Sequence, residues 1–271
     1  MPELPEVEAY RRLAESASLG RLVTAVEAPD AWFLKGGIVA RDVGGALVGC
    51  RLVAARRRGK LLLLDTDHGH TLGLRFGMSG RLVVDGTAGV DELLYTSRRD
   101  DPVWDRFTLR LGASGVLRIN DPRRLGGVSL DPDEDALGPD ALGATPAQLR
   151  AALAGSAAPL KARLLNQARL AGVGNLMADE VLWRAGLAPV RPAGSLTAAE
   201  LRRLHLQLRR TVDLLLERGG SHLGDLTPHR VPGGTCPRDG TPLRRATVGG
   251  RTTWWCPEHQ TGAAEVRGQR P

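Results

Sequence analysis

The chain has 271 residues, of which 42% are hydrophobic, and a formal net charge of +7. This length can bury a sizeable core and favours two domains. Three cysteines are too few for a disulfide scaffold, no long apolar run predicts a membrane span, and acidic residues near the start exclude a signal peptide, so we expect a cytoplasmic protein. The positive charge favours an anionic partner such as nucleic acid, although an arginine-rich composition is also typical of GC-rich genomes.

The first predicted element is a helix that begins next to the N-terminus. Apolar residues recur at helical spacing over residues 4–13, Pro5 suits a first turn, and Gly20 would end the helix. Glu3 and Glu6 stand at the N-terminal end, where the helix dipole stabilises acids. The pattern therefore predicts a helix whose positive end carries two carboxylates.

Pro2 gives the start of this helix a second interpretation. Removal of Met1 would expose a proline secondary amine beside Glu3. An α-amino group titrates at about 7.7–8.0, against about 10.4 for lysine, so such an amine can condense with a sugar aldehyde carbon near neutral pH. On these residues alone, a helix-entry proline followed by solvated first-turn acids is the simpler interpretation.

Strands are predicted next, and helices follow them. Up to about residue 130, extended apolar runs punctuated by glycine predict an antiparallel β-sandwich or barrel. These runs cover residues 22–26, 52–55, 61–65, 71–76, 82–84 and 107–111. An acidic stretch at 131–135 predicts a linker, and the apolar spacing over 146–217 is helical. The predicted fold class is therefore α+β.

The same patterns predict the domain organisation. The predicted segments are a β-sandwich over 1–130, a linker over 131–145, a helical domain over 146–228, a hairpin over 229–260 and a disordered tail over 261–271. Cys50 has strand-like neighbours and is predicted to be a buried apolar residue.

The hairpin segment contains two spaced pairs of metal-ligand residues. Cys236 and Asp239 form the first pair, Cys256 and His259 form the second, and a glycine turn at 249–250 lies between them. Thiolates and imidazole are ligands that Zn²⁺ takes, so the spacing predicts a zinc site. Because Asp239 stands where a second thiolate is expected, either its carboxylate is the fourth ligand or three ligands hold the metal weakly. A metal-free hairpin held by its tryptophans is the alternative.

A glycine-rich turn interrupts the helical segment. Gly172 and Gly174 permit a tight turn, and Asn175 stands where the next helix begins. The first amide groups of a helix can bind a phosphate, and Asn175 would add a side-chain donor. A helix-turn-helix corner packed by Trp183, with no ligand, is the alternative.

Five motifs occur in one order along the chain. They are Met1-Pro2-Glu3-Leu4-Pro5-Glu6, Gly77-Met78-Ser79-Gly80, Asn120-Asp121-Pro122-Arg123-Arg124, Gly172-Val173-Gly174-Asn175 and the terminal hairpin. Together they resemble the formamidopyrimidine-DNA glycosylase/endonuclease VIII family of DNA repair enzymes, over residues 2–260. The resemblance implies an N-terminal β-sandwich with a catalytic helix, and a helix-two-turns-helix domain with a hairpin zinc finger. It also implies a monomer that binds damaged double-stranded DNA.

The resemblance further implies the chemistry. Pro2 would attack C1′ of a damaged nucleotide flipped out of the duplex, and Glu3 would transfer protons during base loss and ring opening. The resulting Schiff base would permit β,δ-elimination, so the enzyme would be both a DNA glycosylase and an AP lyase of base excision repair. Lys60 matches a hairpin lysine of the family, which implies a phosphate contact near the lesion and assistance with proton transfer.

The remaining implied roles concern DNA binding. Met78, Arg124 and Leu125 match the three residues that fill the gap left by the extruded nucleotide, with Arg124 at the orphaned base. Glu6 matches a residue that steadies the catalytic end. A further group is implied to grip phosphates around the lesion: Lys161, Asn175 and Arg251.

Two departures from the family pattern bear on the lesion. Leu125 stands where formamidopyrimidine-type enzymes usually have phenylalanine, and segment 220–236 is shorter than the loop that folds over 8-oxoguanine in purine-specific relatives. Both favour an endonuclease VIII-like preference for oxidised pyrimidines or ring-opened products. The alternative functions are a lesion- or abasic-site-binding protein without catalysis, and a metal-ribbon scaffold that binds a protein partner.

Overall fold

The computed structural model describes residues 2–90, 92–94, 96 and 99–261, and the chain divides into two compact units, Met1–Glu134 and Asp135–Pro271. The division falls inside the predicted linker. The first part of that segment is fastened to the first unit, because the Thr71 amide donates to Asp131 at 2.7 Å and Arg56 pairs with Glu134 at 2.9 Å. Met1 and nearly all of the predicted disordered tail, residues 262–271, lie outside the described residues.

The first unit is a β-sandwich with two helices. Its helices are α1 (Leu4–Ser18) and α2 (Ala40–Leu47). Its strands are β1 (Val23–Glu27), β2 (Leu52–Arg58), β3 (Leu61–Thr66), β4 (Thr71–Arg75), β5 (Arg81–Val84), β6 (Thr87–Ala88), β7 (Asp105–Leu111), β8 (Gly115–Asn120) and β9 (Gly127–Leu130). One sheet has the order β1-β7-β8-β5-β6 and the other β2-β3-β4-β9, and the paired strands are antiparallel.

The predicted N-terminal helix is confirmed as α1. Leu4, Val7 and Tyr10 are fully buried, and Val7 and Tyr10 join the apolar core shared with both sheets. Burying such side chains stabilises each by about 1.5–3 kcal/mol relative to exposure. The core thus fixes the direction of α1 and the place where the helix begins.

Several elements were not among the predicted runs. Helix α2 contains Gly44 and Gly45, which hide its helical pattern, although Val43 and Leu47 are fully buried. Strands β6 and β9 are too short to show alternation, with two and four residues. Strand β8 leads directly into the Asn120-Asp121 motif and supplies the centre of the five-stranded sheet.

The second unit contains four α-helices and a hairpin among its described residues. The helices are α3 (Pro146–Leu153), α4 (Leu160–Leu164), α5 (Asn175–Ala185) and α6 (Ala198–Arg218), and the hairpin strands are β10 (Arg244–Val248) and β11 (Arg251–Trp255). Gly249 and Gly250 join the strands with φ of 59° and 71°, which a two-residue hairpin turn requires. Across the described residues, no helix has both the length and the apolar character needed to span a membrane.

Candidate functional site

The start of α1 buries two carboxylates beside Pro2. Glu3 is 0% exposed and Glu6 is 1% exposed, and the Glu3 amide donates to Glu6 Oε2 at 2.8 Å. Pro2 is also buried. These acids are not the solvated first-turn residues of the simpler interpretation. Burial of a carboxyl group at this place, beside the positive end of a helix, is an arrangement suited to proton transfer.

The turn that carries Lys60 is tied to the same helix. Arg57, on β2, pairs with Glu8 of α1 at 3.0 Å and donates to the Gly59 carbonyl at 2.8 Å. Burial alone would raise the pKa of Glu8, but hydrogen bonds from Arg11 and Arg57 outweigh it and lower that pKa. The charged pair therefore holds the β2–β3 turn, with Lys60 in it, against α1.

A buried aspartate joins two loops. The Met78 loop lies between β4 and β5, and the Arg124 loop, which also contains Leu125, lies between β8 and β9. Asp121 is 0% exposed and accepts hydrogen bonds from the Ser79 hydroxyl at 2.5 Å and from the Gly126 amide at 2.8 Å. The Arg123 amide also donates to it, at 3.2 Å. One carboxyl group thus fixes residues from both loops, because its two oxygens have enough lone pairs for the three donors.

The same two loops touch through their backbones. A Cβ built on Gly77 would lie 2.3 Å from the Leu125 carbonyl carbon, and Gly77 has a φ of +56°. Tyr10 of α1 donates its hydroxyl to the Gly80 carbonyl at 3.1 Å. Met78 is half-buried and Leu125 is 50% exposed. The structure therefore brings Met78 and Leu125 into neighbouring loops, as the gap-filling role implied by the resemblance requires.

Arg124 is held at the surface by an acid that the sequence analysis did not identify. Its guanidinium donates to both oxygens of Asp30, at 2.6 and 2.7 Å, and its φ is +57°. The hydrogen bond from Arg124 is the main cause that lowers the pKa of Asp30 below its usual value. Arg124 remains 50% exposed at its side chain, so it can also reach a ligand.

The glycine turn of the second unit is shaped by Gln167. Its amide group donates to the carbonyls of Leu165 and Val173 at 2.9 Å and accepts from the Gly172 amide at 2.9 Å. Asn175 begins α5, and its Oδ1 atom is buried without a hydrogen-bond partner. Oδ1 is an acceptor and a phosphodiester offers no proton, so a phosphate at this turn would be bound by N–H donors, from the first amides of α5 and from Asn175 Nδ2.

Lys161 is placed differently from the role implied by the resemblance. Its side chain is 0% exposed and its ammonium group forms an ion pair with Asp179, on α5, at 2.7 Å. It also donates to the Thr252 carbonyl at 3.1 Å and to the Thr253 hydroxyl at 2.8 Å. An enclosed ammonium group with these partners does not present itself to a phosphate. Its position is structural, because it joins β11 to α5.

Arg251 stands at the start of β11, next to the strand residues that Lys161 holds. It is exposed and follows the turn at 249–250. Its guanidinium makes a weak bond to the Gly250 carbonyl at 3.4 Å. An exposed cation at the tip of an anchored hairpin can reach an anionic backbone.

The four predicted metal ligands converge on one point. Their donor atoms all lie within 4.8 Å of one another. The Cys236 sulfur is 3.6 Å from His259 Nδ1, the Cys256 sulfur is 3.4 Å from Asp239 Oδ2, and that oxygen is 3.1 Å from His259 Nδ1. Zinc, with bonds of about 2.3 Å to sulfur and 2.0 Å to nitrogen or oxygen, separates tetrahedral donors by roughly 3.3–3.8 Å.

The surroundings of these ligands also suit a metal ion. His259 Nε2 lies 3.1 Å from the Trp183 carbonyl, which fixes its proton on Nε2 and leaves the Nδ1 lone pair facing the other donors. The Trp183 indole donates to the Cys236 sulfur at 3.3 Å. Burial raises the pKa of the Cys256 thiol, which a metal ion would offset by binding the thiolate. The four residues therefore fit zinc with Asp239 as fourth ligand.

Cys50 lies in the other unit and is buried, as predicted. Its thiol donates to the Ala46 carbonyl at 3.2 Å and contacts His68 Nδ1 at 3.1 Å. A thiol that donates to a backbone carbonyl is protonated and serves packing.

Comparisons with known proteins assign this arrangement to a family. Residues 1–128 match the model of the formamidopyrimidine-DNA glycosylase N-terminal domain, and residues 137–226 match that of the formamidopyrimidine-DNA glycosylase H2TH domain. The chain belongs to the formamidopyrimidine-DNA glycosylase family. The resemblance inferred from the five motifs is thereby confirmed.

Individual relatives agree with this assignment. A formamidopyrimidine-DNA glycosylase of Cereibacter sphaeroides is 38% identical over 96% of this chain and 100% of its own length, and one of Thermus thermophilus is 37% identical over 96% and 98%. A solved complex between Lactococcus lactis Fpg and abasic-site-containing DNA is similar, with a TM-score of 0.80 and 26% identity, covering 96% of this chain and 99% of the other. The α+β fold with an H2TH region is therefore established.

The structure adds residues that the sequence analysis missed. Asp30 and Asp179 contact the predicted site residues Arg124 and Lys161, and Gln167 bonds to Gly172 and Val173 of the predicted glycine turn. No sequence motif links any of these three residues to the residues it contacts. Composition and periodicity therefore could not predict these contacts. Asp121 was part of a quoted motif, but its role between two loops appears only in three dimensions.

Proposed function

We propose that this chain, as a DNA glycosylase of base excision repair, removes oxidised bases through a covalent intermediate at Pro2 and then cleaves the strand by β,δ-elimination. After removal of Met1, the Pro2 nitrogen would attack C1′, and the base would leave as the glycosidic bond breaks. Cleavage of the C1′–O4′ bond, with protonation of O4′, would then open the sugar ring and form the Schiff base. Glu3 would supply and accept the protons in these steps.

The observation that carries the proposal is the burial of Glu3 and Glu6 beside Pro2, at the start of α1. Acidic side chains are rarely buried unless they are paired or have a function. A carboxyl group near a helix N-terminus can exchange protons with a bound substrate. Glu6 supports the arrangement, because it accepts the Glu3 amide at 2.8 Å.

Replacement of Glu3 tests the acid role. Glu3→Gln keeps the shape but removes the exchangeable proton, so base excision should fall by about 10²–10⁴-fold. Strand cleavage at a preformed abasic site should be reduced far less, because no base has to leave. Glu15→Gln, which changes a half-exposed acid on the same helix, is the matched control. Equal loss on both substrates would contradict the assignment.

The proposed DNA contacts come from both units. Met78, Arg124 and Leu125 would occupy the gap left by the flipped nucleotide, and Lys60, Asn175 and Arg251 would bind phosphates. Arg251 is an exposed cation, Lys60 is a half-buried one, and Asn175 stands at the start of α5, where backbone amides can bind a phosphate. Binding through phosphates predicts affinity that falls steeply as salt is added, whereas a scaffold for a protein partner predicts none of this.

The preferred lesion is proposed to be an oxidised pyrimidine. Segment 220–236 is held by Glu180, whose carboxylate accepts hydrogen bonds from the Asp225 amide at 3.1 Å and the Leu226 amide at 2.8 Å. Arg218 pairs with Asp225 at 2.7 Å. A segment fastened in this way has little freedom to fold over a purine.

A panel of duplexes tests this preference. Thymine glycol should be excised faster than 8-oxoguanine. The relatives carry the name formamidopyrimidine-DNA glycosylase, so a ring-opened purine is the strongest competitor. Fastest excision of 8-oxoguanine would overturn the preference while leaving the reaction type intact.

We also propose that Cys236, Asp239, Cys256 and His259 hold a structural zinc ion. The ion would fix the hairpin that presents Arg251. A lesion- or abasic-site-binding protein without catalysis remains the second candidate, and it is favoured if Met1 stays on the chain, because Pro2 would then be an inert amide. Mass spectrometry of the purified protein separates the two.

A further inference from the structure

An exposed indole lies beside the Arg124 loop. Trp32 belongs to the 3-10 helix Ala31–Phe33 and is 68% exposed. A single exposed apolar residue on a protein surface needs no explanation by itself. Trp32 differs because its neighbours hold it in one place next to proposed DNA-contacting residues.

Its backbone is anchored on both sides. Phe33 is buried under the Arg124 loop, since its Cζ atom would lie 2.9 Å from a Cβ on Gly126. Lys35 donates its amide to the Val128 carbonyl at 2.8 Å and its ammonium group to the Trp32 carbonyl at 2.7 Å. The same ammonium group lies 4.8 Å from the centre of the Trp32 ring.

One carboxylate connects Trp32 with Arg124. Asp30 accepts the Trp32 amide at 3.1 Å through Oδ1, and it accepts both bonds from the Arg124 guanidinium. A single side chain therefore holds both the Trp32 backbone and the Arg124 guanidinium.

A groove of about 800 Å³ opens between Trp32 and the 3-10 helix Pro102–Trp104. Trp32, Val103, Arg106 and Arg124 line it, and Val103 is 69% exposed. Its acids are already paired, Asp30 with Arg124 and Asp105 with Arg118 at 2.7 Å. Apolar walls beside guanidinium groups suit a flat heteroaromatic ring attached to a phosphate.

We propose that Trp32 stacks on the nucleobase opposite the lesion, while Arg124 contacts that base at its edge. The proposal rests on the proposed function, because it assumes that the Arg124 loop meets damaged DNA. Leu125 has no aromatic ring to stack on a base, and Trp32 provides one. Stacking on the undamaged strand would therefore come from the 3-10 helix Ala31–Phe33 and not from the Arg124 loop.

The test is a double-mutant cycle between Trp32 and the opposite base. The probe is a duplex with a tetrahydrofuran abasic analogue, which binds without reacting, and a second duplex that also lacks the base opposite. Trp32→Leu should weaken binding to the first duplex by on the order of tenfold, because base stacking contributes that much. On the second duplex, wild type and Trp32→Leu should bind alike, which also shows that the variant is folded.

Trp32→Phe keeps an aromatic face and should retain most of the coupling. Equal weakening of both duplexes by Trp32→Leu, or no weakening of either, would overturn the proposal. The proposed reaction is scored separately on wild-type protein, by borohydride trapping on a reactive abasic site. An adduct without coupling refutes only the role of Trp32, and coupling without an adduct refutes only the covalent reaction.

Discussion

Two buried aspartates organise the two units by opposite means. Asp121, in the first unit, is surrounded by neutral donors, namely a hydroxyl and two backbone amides that belong to the Met78 and Arg124 loops. Asp179, in the second unit, is paired with two cations, Lys161 at 2.7 Å and Arg230 at 2.9 Å. Burial raises the pKa of Asp179, and the two cations oppose that rise.

The difference shows how each unit presents its site. Neutral donors to a carboxylate fix backbone geometry, so the first unit holds loops in place while their side chains stay available. A buried ion network holds secondary-structure elements together. In the second unit this network joins α5 to the hairpin, and Lys161 takes part in it instead of facing a ligand. We therefore expect changes at Asp179 to act on stability, and changes at Asp121 to act on DNA binding.

The largest effect is expected for Asp179→Asn. Removal of this charge leaves Lys161 and Arg230 buried with excess positive charge, which should lower the free energy of unfolding by about 3–5 kcal/mol. Thermal and urea unfolding measure the loss, and Asp213→Asn, at an exposed position of α6, is the control. A loss no larger than that of the control would show that the ion network does not hold the second unit.

Asp121→Asn should have a smaller effect on stability and a clear effect on DNA. The side-chain NH₂ group of the new asparagine would face one of the hydrogen-bond donors. That donor would lose its acceptor, which should lower the free energy of unfolding by about 1–3 kcal/mol. Binding to an abasic-analogue duplex should weaken beyond this loss, because Met78 and Leu125 would lose their relative position. Unchanged binding by a folded Asp121→Asn protein would contradict the distinction between the two aspartates.

Asp239 is an exposed carboxylate with another role, as a proposed zinc ligand. Asp239→Ala should lower zinc affinity by about tenfold or more, while Asp239→Cys should retain or raise it, since a thiolate is a preferred zinc ligand. Competition with a chromophoric chelator measures both. The control is Glu258→Ala, which changes an exposed acid between Cys256 and His259. Equal affinity of Asp239→Ala and wild type would leave a three-ligand site.

The smallest effect concerns the contact between the two loops. Gly77→Ala places a Cβ against the Leu125 backbone, whereas Gly86→Ala, at a similar positive φ of +81°, meets open space. Both changes carry the strain of a left-handed conformation, so their difference reports the loop contact alone. Gly77→Ala should destabilise the protein by about 1 kcal/mol more and weaken lesion binding. Equal behaviour of the two would show that the loops can separate freely.

Much of the fold followed from sequence patterns, because long apolar runs and capped helices carry local signals. Helix α1, most strands of the sandwich and the hairpin around Gly249 were predicted in this way. Helix α2 and strand β9 were not predicted. Paired glycines interrupt the helical pattern of α2, and the four residues of β9 are too few to show alternation. Their formation depends on tertiary packing, which a local pattern does not contain.

The candidate site shows the same limit. The metal ligands were predicted from their residue types and spacing, and the roles of Pro2 and Glu3 were predicted from the resemblance to the family. Lys161 shows the opposite case, because a lysine in a matching position gives no sign of whether it is exposed or buried against Asp179. Asp30 was missed because its partner Arg124 lies 94 residues away.

The central claim is that Pro2 is the nucleophile, and borohydride trapping tests it most directly. Protein whose terminus is verified as Pro2 is incubated with an abasic-site duplex and reduced, and the adduct is digested and mapped by mass spectrometry. The account predicts a single covalent adduct on the Pro2 nitrogen. No adduct, or an adduct on a lysine such as Lys60, would contradict it.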